Sequence, residues 1–182
     1  MSFLNSKPSA MSHPRIFGLR ALPALLLLLC LGFPGSGLAL DKGDRAPDFQ
    51  LPGKQGNTVR LSDAAGSVVY LDFWASWCGP CRQSFPWMNE MQQKYRAKGL
   101  KVIAVNVDAR SDDAAKFLVQ NPSDFTVAFD SKGATPSQYG VKGMPTSFLI
   151  GRDGRVIASH SGFRPADRQA LENDIKSAME VK

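Results

Sequence analysis

The sequence predicts an α/β fold in which helices cover both faces of one mixed central sheet. Ser67–Trp74 is an apolar run rich in valine and aromatic residues, typical of a buried central strand. A second such run, Leu100–Val107, follows after one helix length, and this βαβ spacing predicts parallel strands joined by a right-handed crossover. Later, Thr146–Gly151 and Arg155–Ser161 flank Asp153-Gly154, which is typical of an antiparallel hairpin.

The other elements follow from turn and capping residues. Two short strand-like runs on either side of the turn Gly53-Lys54-Gln55-Gly56-Asn57 predict an extra N-terminal β-hairpin. Ser111 is a candidate N-cap for a helix with two aspartates in its first turn, and Pro86 is expected to kink the long preceding helix. The remaining predicted ranges are strands Asp48–Leu51, Thr58–Leu61 and Phe125–Phe129, and helices Gly79–Lys98, Ser111–Gln120 and Pro165–Met179.

Residues 1–39 have the pattern of a secretory signal peptide. A basic front without acidic residues precedes an apolar stretch from Ala21 to Phe33, which is too short to span a membrane comfortably. Gly37 and Ala39 place small residues at the −3 and −1 positions of a cleavage site. We therefore expect export, with residues 40–182 as one domain.

Charge and cysteine content narrow the function classes. The full chain carries a net charge of +6, but residues 40–182 hold 19 Lys and Arg against 16 Asp and Glu, or +3. No basic cluster is interleaved with aromatic residues, so we expect no nucleic-acid partner. Cys30 lies in the signal segment behind three leucines, which do not favour lipidation. The exported domain then keeps one pair, Cys78 and Cys81.

Cys78 and Cys81 belong to a Cys-Gly-Pro-Cys sequence where the central strand passes into a helix. Cysteines at i and i+3 of a first helical turn lie close enough to bridge. The helix N-terminus favours a thiolate, the nucleophile of disulfide exchange. Pro80 fits this turn because its missing N–H costs nothing there, and Gly79 keeps the approach open. We expect Cys78 to be the exposed nucleophile and Cys81 the resolving thiol.

A zinc site and a structural disulfide are the alternatives for this pair. Zinc requires four nitrogen or sulfur ligands, and beyond residue 39 only His160 could join the two cysteines. A disulfide that closes so short a loop removes little entropy from the unfolded chain. The sequence therefore favours redox chemistry, without a metal or other cofactor.

Asp72 is a candidate catalytic group because it lies in the predicted buried strand, six residues before Cys78. We expect it to face the core below the sulfurs, with a pKa raised by desolvation. It could then act as general base for Cys81, through water. The alternative is a solvated aspartate on the strand's outer face.

Three further residues are candidates for client binding. Trp77 lies directly before the dithiol and could form an apolar rim that docks clients, alone or together with Trp74. The alternative for either tryptophan is packing in the core. Pro145 directly precedes a strand. A cis peptide there would leave the backbone of Met144 free to pair with an extended client, whereas a trans bond would make an ordinary turn.

These motifs together resemble the thioredoxin superfamily. They are the run from Phe73 to Arg82, Pro86 five residues after the second cysteine, and Gly143-Met144-Pro145-Thr146 before a strand. The signal segment, the hairpin opened by Ala46-Pro47-Asp48-Phe49 and a helix-containing insert between Val107 and Phe125 resemble its exported TlpA/ResA-like branch.

The resemblance implies a thioredoxin fold, a cis Pro145 and a monomer in the periplasm. It also implies protein disulfide clients, a periplasmic or membrane-bound electron donor, and the roles assigned above to the two cysteines. Asp72 matches the buried acid of cytoplasmic thioredoxins, where many exported relatives carry Asn. Relatives in cytochrome c biogenesis usually place Glu after the cis proline. Thr146 stands there in this chain, which argues against a dedicated apocytochrome c role.

We therefore predict a periplasmic thiol–disulfide oxidoreductase that reduces clients through a mixed disulfide. Two other functions would use the same dithiol. A copper-handling or cytochrome oxidase assembly factor would bind Cu(I), with Met144 as the one obvious extra soft ligand. A thiol peroxidase is suggested by 46–61, which resembles the start of peroxiredoxins. Those proteins place their cysteine after a Pro-x-x-x-Thr run that Ala75-Ser76-Trp77 lacks.

Overall fold

The computed structural model describes residues 40–181, so the predicted signal segment and Cys30 lie outside the described residues. In chain order the strands are β1 (Gln50–Pro52), β2 (Thr58–Arg60), β3 (Val68–Trp74), β4 (Leu100–Asn106), β5 (Thr126–Phe129), β6 (Thr146–Ile150) and β7 (Val156–Ser161). The α-helices are α1 (Gly79–Tyr95), α2 (Ser111–Gln120), α3 (Ala134–Gln138) and α4 (Arg168–Glu180). Within this range we find no helix whose length and hydropathy suit a membrane span.

The central sheet has the strand order β5-β4-β3-β6-β7, and β1 with β2 forms a separate hairpin. Strand β3 pairs in parallel with β4 and antiparallel with β6, which confirms the predicted mixed sheet. Its seven residues are all buried, as expected for a strand covered on both faces. The β6–β7 hairpin turns at Asp153-Gly154, where Gly154 adopts a φ of 78° that favours glycine.

Successive side chains of β3 point to opposite faces of the sheet and so contribute to two separate parts of the core. Tyr70 and Trp74 point toward α1, α2 and α4, whereas Leu71 and Phe73 belong to a cluster on the opposite face. The N-terminal hairpin and Tyr139, the C-cap residue that follows α3, cover that second face. Helices therefore lie on both faces, as predicted.

Several boundaries differ from the predictions at element ends. Helix α1 stops at Tyr95 and continues as a 3-10 turn that closes at Gly99 with a φ of 92°, because a left-handed glycine ends the helix. The closing helix likewise begins with a 3-10 turn, Pro165–Asp167. Helix α3, which follows Gly133, was not predicted because five residues carry too little periodicity.

The prediction that Ser111 caps α2 is wrong. Arg110 occupies the N-cap position in an extended conformation, and its side chain makes no capping hydrogen bond. Ser111 is instead the first helical residue, with Asp112 and Asp113 after it. The helix starts there because the backbone N–H of Asp113 already donates to the carbonyl of Arg110, at 3.2 Å.

Helices α1 and α4 are joined by a charged cluster at Glu172. Its carboxylate accepts hydrogen bonds from Lys94 Nζ, at 2.7 Å, and from the Tyr95 hydroxyl, and Lys176 Nζ lies 3.4 Å away. These contacts, led by those to Lys94 and Tyr95, lower the pKa of Glu172 to about 2. The cluster fixes the far end of α1 against α4, while the opposite end of α1 carries the cysteines.

Candidate redox-active site

Cys78 and Cys81 form a disulfide at the junction of β3 and α1. The sulfurs are 2.02 Å apart and the Cα atoms 5.3 Å apart. Cys78 is the N-cap residue of α1, and its Sγ accepts the backbone N–H of Cys81 at 3.2 Å. Pro80 lies in the first turn, where its missing N–H leaves no helical hydrogen bond unmade. The junction therefore places the first sulfur at a helix N-terminus, as the sequence predicted.

The expectation that Cys78 is exposed is not met in this oxidised state. Cys78 is 3% exposed and Cys81 is fully buried, because both pack into the core cluster under α1. Gly79 and Pro80 beside them are exposed. A Cβ added to Gly79 would meet no atom within 4 Å, so the surface next to Cys78 is open to an approaching chain.

Asp72 is buried in the middle of β3, and desolvation raises its pKa well above the usual value. Its register partners are Ala104 on β4 and Ser147 on β6. Among residues 40–181 its Oδ2 finds no hydrogen-bond partner. The nearby hydroxyl of Tyr70 donates to Ser147 Oγ at 2.9 Å, and burial raises its pKa as well. The predicted burial and direction of the pKa shift of Asp72 are confirmed.

The peptide bond between Met144 and Pro145 is cis, as the resemblance to the thioredoxin superfamily implied. Strand β6 begins one residue later, and Phe73 pairs with Thr146. This register brings Pro145 to the same edge of the sheet as the end of β3, which leads into the cysteines. The Pro145 carbonyl accepts the Gly162 N–H at 2.7 Å. Met144 is partly buried and lies outside the β6 ladder.

The two tryptophans near the dithiol have different surroundings. Trp74 is fully buried and packs against Phe85 and Phe117, at centroid distances of 4.9 and 4.7 Å. Trp77 is 70% exposed and lies directly before Cys78. Of the two, only Trp77 can therefore contribute to a docking rim.

Asp108 is a site residue that the sequence did not indicate, because its neighbourhood reads as a structural or solvated loop. It is buried after β4, and its carboxylate accepts hydrogen bonds from Ser76, two residues before Cys78. The one available signal is its position two residues after Asn106, which ends a central parallel strand and pairs with Trp74 at the end of β3. That contact depends on strand pairing and cannot be read from local spacing.

Among the described residues, neither a candidate metal cluster nor the apolar-lined cavity coincides with the cysteines. No group of three or more His, Cys, Asp or Glu side chains suited to a metal occurs within 40–181. A cavity of about 490 Å³ is lined by Ala46, Leu61, Val69 and Ile150, at the start of β3 and the end of β6. It lies at the opposite end of the sheet from the disulfide.

A disulfide-forming cysteine pair at a helix N-terminus, with a cis proline directly before the neighbouring strand, defines a thioredoxin-fold thiol–disulfide oxidoreductase. The comparisons with known proteins agree with this class. The chain belongs to the Redoxin family, which matches residues 41–175, and is a TlpA/ResA-like member of the thioredoxin superfamily.

The similar proteins are named for thiol–disulfide exchange. Thiol-disulfide oxidoreductase ResA of Bacillus thuringiensis subsp. konkukian is 36% identical over 160 residues, covering 84% of this chain and 91% of that protein. ResA of Bacillus subtilis is 32% identical, covering 76% and 81%. A crystal structure from Chlorobium tepidum, provisionally named thiol:disulfide interchange protein DsbE, is 70% identical with a TM-score of 0.76, covering 78% and 99%.

Proposed function

We propose that this oxidoreductase reduces disulfides of client proteins in the periplasm, with Cys78 as the attacking thiolate and Cys81 as the resolving thiol. The observation that carries the proposal is the position of Cys78 as N-cap of α1, with Cys81 one turn behind it in the core. Cys78 is 3% exposed and Cys81 is fully buried, and the open surface at Gly79 adjoins Cys78, so Cys78 is the sulfur that a client meets first. The signal-peptide pattern of residues 1–39 supports the location.

The reaction consists of two exchange steps. The Cys78 thiolate attacks one sulfur of the client disulfide, so that a mixed disulfide forms and the client's other sulfur leaves and takes up a proton. Cys81 then loses its proton and attacks Cys78 Sγ, which releases the client's first sulfur as a thiol. The client gains two electrons and two protons, and the Cys78–Cys81 disulfide forms. A dithiol donor in the periplasm or its membrane restores the reduced pair.

The surroundings of the pair assist each step. The N–H groups at the start of α1 stabilise the thiolate of Cys78. Asp72, whose pKa is raised by burial, takes the proton of Cys81 through water, because a base with a raised pKa is matched to a thiol.

Client docking uses the exposed surface around the disulfide. Trp77, Gly79 and Pro80 are exposed beside it, and the open space at Gly79 admits another backbone. Met144 precedes β6 without joining its ladder, so its peptide groups are placed to pair with an extended client segment.

Trapping of the mixed disulfide tests this function. We expect Cys81→Ser to accumulate adducts with periplasmic proteins, and with a purified disulfide-containing protein, that dissociate on addition of dithiothreitol. Cys78→Ser is the matched control, because it retains the other thiol but should form no adduct. If both variants form no adducts, or the same adducts, the proposed function is wrong.

A further inference from the structure

Asp108 makes a buried hydrogen-bond cluster with the segment that leads into the disulfide. It lies two residues beyond β4 and is 5% exposed. Ser76 donates its backbone N–H to Oδ2 at 3.0 Å and to Oδ1 at 3.2 Å, and its hydroxyl to Oδ1 at 3.0 Å. Asn106 donates its side-chain amide to Oδ2 at 2.8 Å. Both carboxylate oxygens are therefore satisfied by donors from two different segments.

These bonds act on a short connection in which Ala75 and Cys78 are buried in the core, whereas Ser76 is half-buried and Trp77 is exposed. Strand β3 ends at Trp74 and α1 begins at Gly79, so four residues link them. Within this linker the Cys78 N–H donates to the Ala75 carbonyl at 3.1 Å, a contact internal to the turn. The bonds of Ser76 to Asp108 instead anchor the turn to the neighbouring strand. Hydrogen bonds to a buried carboxylate are stronger than those between neutral groups.

We propose that Asp108 is a positioning residue of the dithiol, which holds the segment from Ser76 to Cys78 in place when the disulfide is open. In the oxidised protein the covalent bond to Cys81 already fixes Cys78 Sγ against α1. In the reduced protein that bond is gone, and the anchored turn is what keeps Sγ at the helix N-terminus. The proposal rests on redox activity of the pair, but not on the identity of the client or the direction of electron flow.

The position of Sγ matters because stabilisation of a thiolate by the helix N-terminus falls off within the first turn. If the turn is released, the Cys78 thiolate loses part of this stabilisation and its pKa rises. A carboxylate that acted only through its charge would have the opposite effect, because its removal would lower the pKa of a nearby thiol. The direction of the change therefore separates positioning from simple electrostatics.

The test compares variants of Asp108 in the reduced protein. The pH dependence of Cys78 alkylation by iodoacetamide gives the thiol pKa, and urea unfolding reports stability. We expect Asp108→Ala to raise the midpoint by about one unit, so that the rate below the midpoint falls about tenfold. Asp108→Asn keeps one acceptor oxygen for Ser76 and should shift the midpoint upward by less. Asp112→Asn, an exposed control at the start of α2 with the same charge change, should leave it unchanged.

Two results would overturn the proposal. A folded Asp108→Ala with an unchanged midpoint would show that the residue only stabilises the connection after β4. A downward shift in Asp108→Ala or Asp108→Asn, whether or not the two are equal, would show an effect of charge. If Asp108→Ala does not fold, Asp108→Asn decides alone, since an upward shift supports positioning and any other result contradicts it. Failure of client trapping by Cys81→Ser would leave this outcome intact.

Discussion

At the scale of single residues, Asp72 is a carboxyl group whose burial costs stability. It is buried in β3, and among the described residues its Oδ2 has no hydrogen-bond partner. An unpaired buried polar group costs stability, and an ionised one costs more. We propose that Asp72 serves the reaction in spite of this loss of stability. Its role is to transfer a proton to and from Cys81.

The cost predicts how stability depends on pH. In the unfolded chain the Asp72 carboxyl ionises near pH 4, whereas in the folded protein burial raises its pKa. Folding therefore keeps a proton that the unfolded chain releases, and stability is lost as pH rises from about 4 toward the folded pKa. We expect Asp72→Asn to stabilise the oxidised protein by roughly 1–3 kcal/mol at pH 7 and to have little effect below pH 4. Urea unfolding at both pH values measures this difference.

The same variant should slow release of the client from the mixed disulfide at neutral pH, because Cys81 loses its base. Asp112→Asn is the control for the loss of one carboxylate at an exposed site. If Asp72→Asn destabilises the protein at pH 7, or resolves the mixed disulfide at the wild-type rate, Asp72 is not a base held in a costly environment.

Residues whose chemistry depends on local spacing could be predicted from the sequence. Cys78, Cys81 and Pro145 belong to such patterns, since an i, i+3 pair and a proline before a strand are visible in one window. The burial of Asp72 followed from the apolar neighbours on its strand. Asp108 was missed because its partner, Ser76, is 32 residues away and is met only through the pairing of β3 with β4.

At the scale of elements, an aromatic cluster attaches α2 to the central sheet. Phe117 of α2 lies 4.7 Å from the Trp74 ring and 4.9 Å from the Phe85 ring, measured between centroids. The guanidinium of Arg82 sits 5.9 Å from the Phe117 centroid. Because Trp74 ends β3 and Arg82 follows Cys81, this cluster connects the insert helix with both sides of the disulfide.

We expect Phe117→Ala to destabilise the protein by about 3–5 kcal/mol, because it removes a buried ring and leaves a cavity among aromatic neighbours. Val119→Ala is the control on the same helix, where an 83% exposed side chain should change stability by less than about 0.5 kcal/mol. Urea denaturation of both variants measures the difference. A loss below about 1 kcal/mol in Phe117→Ala would contradict the attachment of α2 through this cluster.

Element types could be predicted better than element ends. The bounds of α2 agree with the prediction, and β3 and β4 differ from it by one residue each. The N-cap of α2 was assigned wrongly because residue type favours serine, while the backbone turn after Asp108 determines where the helix begins. The short helix α3 is followed by Tyr139, whose contacts with the Phe73 and Phe148 rings are tertiary and are not revealed by sequence periodicity.

At the scale of the whole molecule, strand order explains why residues far apart in sequence form one site. Parallel pairing places the ends of β3 and β4 at one edge of the sheet, and antiparallel pairing brings the start of β6 to the same edge. The cysteines, Asp108 and Pro145 are therefore neighbours by topology. The parallel pairing of β3 with β4 and the β6–β7 hairpin both follow general rules of connection, which is why the architecture was predictable.

The reduction potential of the Cys78–Cys81 pair tests the central claim most directly. A strong oxidant has a reduced form that is stabilised relative to its disulfide. The helix N-terminus favours the Cys78 thiolate, but burial of both cysteines and an ionised Asp72 would oppose it, so the reduced form gains only part of that stabilisation. We therefore expect equilibration with glutathione or dithiothreitol to give a potential near that of thioredoxin, about −270 mV. A value near −120 mV, as in a disulfide-forming oxidant, would contradict the claim that this protein reduces its clients.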